Sequence, residues 1–100
     1  MNVIINQDGD KYNVAIEGRI DSVTANQFLS DLTPLLHAKN ADITVDCKDM
    51  SYTSSQGLRV FLMLQKSTMA NGGKLVLVNM APAVKEVFDI TGFSSIIKIV

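Results

Sequence analysis

The strongest constraint in this chain is the order in which two hydrophobic periodicities follow one another. Val3-Ile4-Ile5 is short and apolar, and Tyr12-Asn13-Val14-Ala15-Ile16-Glu17 alternates with a period of two, placing Tyr12, Val14 and Ile16 on one face. Gln7-Asp8-Gly9-Asp10 lies between them, and Asp-Gly tolerates the positive φ of a tight turn, so the pair reads as an antiparallel hairpin. The period then changes to that of a helix over 22–38, where Phe28, Leu32, Leu35 and Leu36 form the apolar stripe and Asp21 or Ser22 can cap. Pro34 falls inside that stripe, and its missing donor predicts a kink or a break. A strand is expected over 42–47, with Ile43, Val45 and Cys47 alternating against Asp42, Thr44 and Asp46. The polar stretch over 48–54 reads as a connection into a second helix over 55–70. The expected stripe of that helix is Leu58, Phe61, Leu62, Gln65 and Met69, and Asn71-Gly72-Gly73 ends it.

Leu75-Val76-Leu77-Val78 is apolar at every position, the pattern of a central strand covered on both sides by helices, or by helices and loops. Pro82 suits the first turn of a third helix, with Val84, Val87 and Phe88 inward and Gly92 as its stop. A last strand is expected over 96–100. The order β-β-α-β-α-β-α-β predicts an α/β fold with a mixed sheet flanked by helices. One hundred residues suffice for one such domain, spanning 1–100, with no repeat or linker.

Composition narrows the function classes. Nine Lys and Arg against ten Asp and Glu give a formal charge of −1, which offers no basic field for a phosphate backbone, so direct nucleic-acid binding is not expected. Apolar runs such as 60–64 fall far short of the ~20 residues of a membrane span, and the first residues have no signal-peptide pattern. Cys47 is the only cysteine, so neither an internal disulfide nor a cysteine-built metal site is available. A cytoplasmic location is expected.

In open α/β sheets, function gathers where strands end and helices begin. Three segments are expected at that edge: Gly18-Arg19-Ile20-Asp21, Thr53-Ser54-Ser55-Gln56-Gly57 and Asn79-Met80-Ala81-Pro82. The middle one places hydroxyls at a helix start, beside free backbone N–H groups and the positive end of the helix dipole. A phosphate there would be stabilised by ~0.3–1 kcal/mol if exposed. It would add about −1.5 to −2 charges to a nearly neutral surface. A partner docked over that surface would have to accept a dianion, and each ~1.4 kcal/mol of penalty weakens binding tenfold. Thr53-Ser54-Ser55-Gln56 also fits a capping box, which would do no more than hold the helix start together. The two readings are compatible.

These residues resemble those of the STAS domain, the family of anti-sigma-factor antagonists. Gly18-Arg19-Ile20-Asp21 is similar to the family's Gly-x-hydrophobic-Asp segment, and Asp46 through Tyr52-Thr53-Ser54-Ser55-Gln56-Gly57-Leu58 to its signature. Val84-x-x-Val87-Phe88-x-x-Thr91-Gly92-Phe93 is similar to the family's ending. The resemblance implies a partner switch: the antagonist binds an anti-sigma factor that is also a serine kinase, phosphorylation releases it, and a serine phosphatase resets it. The phosphoacceptor carries over to Ser55, two residues before Gly57. Ser54 stands where the best-known members carry Asp, and Gln56 where many carry Ser or Ala; both departures bear on how the acceptor is tuned. Asp21 matches an acidic position near the acceptor, and as a residue it serves equally as a helix cap. Gly57 is expected to allow close backbone approach, with Arg59 and Met80 among the partner-facing residues.

Other chemistry finds little support. A serine nucleophile needs a base, and the single histidine, His37, is placed near the far end of the first helix, about 25 Å away. Asp46 and Asp49 lack a ligand loop, Cys47 falls on an apolar strand face, and no phosphate-cradling Gly-rich loop is present. Arg59, Met63 and Lys66 share the outer face of the second helix. The chain is therefore expected to be no enzyme and to need no cofactor. The alternative is a STAS scaffold or accessory subunit, not phosphorylated, in a transport or signalling complex.

Overall fold

The computed structural model describes residues 1–100. The chain forms β1 (Asn2–Asp8), β2 (Lys11–Ile20), α1 (Thr24–Leu36), β3 (Asp42–Thr53), α2 (Ser55–Ala70), β4 (Lys74–Val78), α3 (Pro82–Ile90), a 3-10 turn over Phe93–Ser95 and β5 (Lys98–Ile99). The five strands lie in sequence order, β1 antiparallel to β2 and the remaining pairs parallel. Right-handed crossovers that always step in one direction leave every helix on one face of the sheet.

Burial follows from that topology. Val14, Ile16, Ile43, Val45, Cys47, Leu75 and Leu77 belong to a single cluster of 21 buried residues shared with the helices. Their strand neighbours Asn13, Ala15, Asp42, Thr44, Asp46, Lys74, Val76 and Val78 are exposed or only half-buried. The expectation that helices or loops cover both sides of 75–78 is therefore corrected: Val76 and Val78 look out from an uncovered face. Phe28 of α1, Phe61 of α2 and Phe88 of α3 meet edge to face, with ring centroids 5.1 and 5.4 Å apart, and join the three helices.

Several local expectations shift. Pro34 does not break α1, which runs on to Leu36 with His37 as its C-cap. The predicted last strand shortens to Lys98–Ile99, because Phe93–Ser95 takes the 3-10 turn. In α2 the buried stripe is Gly57, Leu58, Val60, Phe61, Leu64 and Thr68, whereas Leu62 and Gln65 are half-buried and Met69 is exposed.

The largest difference is the polar stretch 48–54, read as a connection. It continues β3 to Thr53, paired with β2. Ala15 opposes Asp46 while Glu17 opposes Asp49, and Gly18 opposes Met50 while Arg19 opposes Tyr52, so β3 carries one extra residue at each step. Such bulges bend a strand and reset its facing. The buried positions accordingly become Cys47, Met50 and Thr53, three residues apart, and the polar residues between them face outward.

Candidate functional site

The bulged end of β3 is what carries the second helix to its place. Ile20 pairs with Thr53, and the Ser54 backbone N–H donates to the Ile20 carbonyl at 2.7 Å, so the ends of β2 and β3 form one floor. Gly57 sits directly on it. A Cβ there would overlap Thr53 Oγ1 and stand 2.7 Å from Ile20 Cγ2. Only hydrogen in place of a side chain lets the first turn of α2 approach so closely.

Ser54, not Thr53, is the N-cap of α2. Its backbone is extended (φ −87°, ψ 175°) and its Oγ accepts from the Gly57 N–H at 3.3 Å. The capping-box reading is therefore out of frame by one residue. Thr53 is buried at the strand end, and the third helical position is Gly57, which has no side chain to return the bond. Ser55 becomes the first helical residue, exposed, with its hydroxyl donating to Gln56 Oε1 at 3.3 Å. Gln56 is exposed as well, and so is Arg59 one turn on. No acidic side chain occupies the first turn of this helix. Its positive end faces solvent with one long neutral bond as its side-chain compensation.

Asp21 lies at the same edge, at the end of β2, and closes the start of α1. Its Oδ1 accepts from the N–H groups of Val23 and Thr24, both at 2.9 Å, while Thr24 Oγ1 accepts from the Asp21 N–H at 2.9 Å. The Thr24 backbone N–H is the chief cause that holds the carboxyl below its usual 3.8, helped by Val23, the Thr24 hydroxyl and the nearby Arg19 cation. Asp21 is thus a cap for α1, one residue beyond the Ile20–Thr53 pair on which α2 starts.

The third segment does not join this edge. β4 ends at Val78 opposite Asp46, and the Asn79 amide donates to Asp46 Oδ1 at 3.3 Å. Asp46 precedes Thr53 on the same strand by a length on the order of 20 Å. Met80 is half-buried against the core at that lower level rather than beside Ser55.

Two features of the edge escape a reading of the sequence. Arg19 lies 4.5 Å over the ring of Tyr52, its partner in register, which sets a cation on an aromatic face beside the site. Val23 is 81% exposed next to Asp21, an apolar side chain in full solvent contact. Both depend on the bulged register and on the cap geometry, which no short motif encodes.

The one histidine does not join the Ser55 edge. His37 caps the other end of α1, about 20 Å from its start. No group of three or more His, Cys, Asp or Glu side chains is assembled for a metal. Cys47 is buried in the core, which pushes its thiol up to about 12. No helix is long and apolar enough to cross a membrane.

A two-layer α/β domain with a serine-bearing helix start seated on the ends of two parallel strands defines the class of fold. The family follows from comparison: the STAS domain model matches residues 2–100, and the chain belongs to that family. It is 37% identical to the anti-sigma-B factor antagonist of Bacillus subtilis over 99 residues, covering 99% of this chain and 90% of the relative. The fold is shared with an anti-sigma factor antagonist from Mycobacterium paratuberculosis, with a TM-score of 0.86 at 17% identity, covering 98% of this chain and 83% of that one. It is also shared with the Bacillus cell fate determinant SpoIIAA in its phosphorylated form, with a TM-score of 0.74 at 17% identity, covering 99% and 91%.

Proposed function

We propose that this chain is an anti-sigma-factor antagonist that works as a partner switch, with Ser55 as its phosphoacceptor. Unmodified, it binds an anti-sigma factor that is also a serine kinase; phosphorylated on Ser55, it lets go, and a serine phosphatase resets it. The kinship with the Bacillus subtilis antagonist supports the role. The observation that carries the choice of residue is the placing of Ser55: an exposed hydroxyl on the first helical residue of α2, where the turn holds no acidic side chain.

The physics of the switch follows from that placing. A dianion on Ser55 faces spare N–H groups and the positive end of the helix, so the fold of the antagonist tolerates it. A partner resting over the same turn must instead bury or repel about two negative charges, and ~3 kcal/mol of penalty is already a hundredfold loss of affinity. Asp21 adds a carboxylate to the same edge, held ionised by the Thr24 and Val23 N–H groups that donate to it. Arg19, Tyr52 and Val23 form the surroundings against which a partner is read.

The test is capture of the chain's partner with identification of the modified serine by mass spectrometry, followed by binding measurements on two variants. Ser55→Ala should retain the kinase-type partner, and Ser55→Asp should lose it by about a hundredfold. Equal binding by both would replace the switch with a constitutive scaffold.

A further inference from the structure

The uncovered face of the sheet has a charge pattern that no role of Ser55 uses. Asp8, Lys11, Asp42 and Lys74 stand in register across β1, β2, β3 and β4 and form one row at the end of the sheet far from Ser55. Paired residues of neighbouring strands point to the same face, so all four side chains project from the open one. All four are exposed, and none is in an ion pair, the only one in the structure being Lys85–Asp89.

The signs run minus, plus, minus, plus. An alternating row with an even number of members changes every sign when reversed, so it complements a reversed copy of itself. A twofold axis parallel to the strands, between β2 and β3, performs that reversal. It sets Lys11 over Asp42 of the second copy and Asp8 over Lys74 of the second copy, each contact occurring twice as an isologous interface demands.

On the other outward rungs the same operation sets Ile4 over Val78, Ala15 over Asp46, Asn13 over Thr44 and Asn6 over Val76. Ile4 and Val78 share the rung Ile4–Ala15–Asp46–Val78 and exchange places, bringing the half-exposed Ile4 against an apolar partner. Asn13 meets Thr44, a donor and an acceptor, and Asp46 is already engaged by the Asn79 amide. The paired part of the open face spans the four strands β1 to β4 over the five rungs from Asp42–Lys74 to Asp46–Val78.

We infer that the open sheet face docks a second copy of this chain through the row Asp8, Lys11, Asp42 and Lys74. The axis keeps strand direction, so both Ser55 edges stay uncovered and point the same way. The dimer would present two switch sites on one side.

The experiment is sedimentation equilibrium of the full chain from micromolar to millimolar concentration, at low and high salt. A dimer that weakens as salt rises is expected, since its contacts are exposed charge pairs. Lys74→Glu should weaken it by at least about tenfold, and Asp8→Lys combined with Lys74→Glu should restore it, because the pair is re-formed with its signs exchanged. Recovery in the double variant also excludes misfolding as the cause of the loss. Ser55→Asp should leave self-association unchanged, which separates this inference from the proposed switch. A chain that stays monomeric throughout, a dimer indifferent to Lys74→Glu, or a double variant that fails to recover would each overturn it.

Discussion

Two helices begin at the same edge of this sheet, and their starts are built in opposite ways. The start of α1 is saturated: the Asp21 carboxylate takes two backbone N–H groups at 2.9 Å, and Thr24 returns a bond to the Asp21 N–H. The start of α2 is sparing: the Ser54 hydroxyl takes one N–H at 3.3 Å, and the turn has no acidic residue. One helix end already holds its anion. The other has electrostatic room for an anion that is not yet there. A reversible modification needs the second kind of terminus, because a saturated one has little further stabilisation to give to an incoming charge.

The comparison can be broken at several points. The largest effect is expected from Gly57→Ala, which puts a Cβ against Thr53 and Ile20 where α2 rests on the sheet. It should destabilise the domain by ~2 kcal/mol, a fall in Tm of roughly 8–16 °C. An unchanged melting curve would mean that the helix is not seated as described.

Asp21→Ala should come next, lowering Tm by a few degrees. Its pH dependence has a definite sign. The folded carboxyl is held below its unfolded value of 3.8, so its stabilisation is fully present above that pH and is lost as pH falls below 3.8 through the folded value. The gap in stability between the wild type and Asp21→Asn should therefore close on acidification. A constant gap would remove the carboxylate from the cap.

Ser54→Ala deletes the weaker, longer bond and should cost ~0.5 kcal/mol, at the low end for an N-cap. The smallest effect sharpens the contrast most. Ser55→Asp should raise stability by ~0.3–1 kcal/mol at low salt, and the gain should fade as salt is added. Ser22→Asp, next to the saturated start of α1, should give less. Equal gains at both sites would erase the distinction between the two helix starts.

Much of this molecule is legible in residue order. The hairpin over Asp8-Gly9-Asp10, the parallel alternation that follows and the start of α2 at residue 55 all appear as expected, since each rests on short-range chemistry: turn propensity, period and capping. Cys47 lies on the buried face for the same reason. What misleads is the stretch over 48–54. Two bulges turn a period of two into a period of three, and a strand with that pattern looks like a polar loop until its partner β2 supplies the register. Pro34 misleads in a milder way, since an exposed helix face tolerates the lost donor when Leu32 and Leu35 on the other side are held by the core.

The site divides along the same line. Residue order alone points to a hydroxyl at a helix start and a glycine two places beyond it, because capping and steric freedom are properties of neighbours in the chain. Only the folded sheet decides that Asp21, more than thirty positions away, shares the edge with Ser55, that Arg19 lies over Tyr52, and that Met80 is left at a lower level. It also decides that one face of the sheet has no helices at all. That outcome depends on the direction in which successive crossovers step, and hydrophobic patterning cannot distinguish strands that advance in order from strands that switch sides.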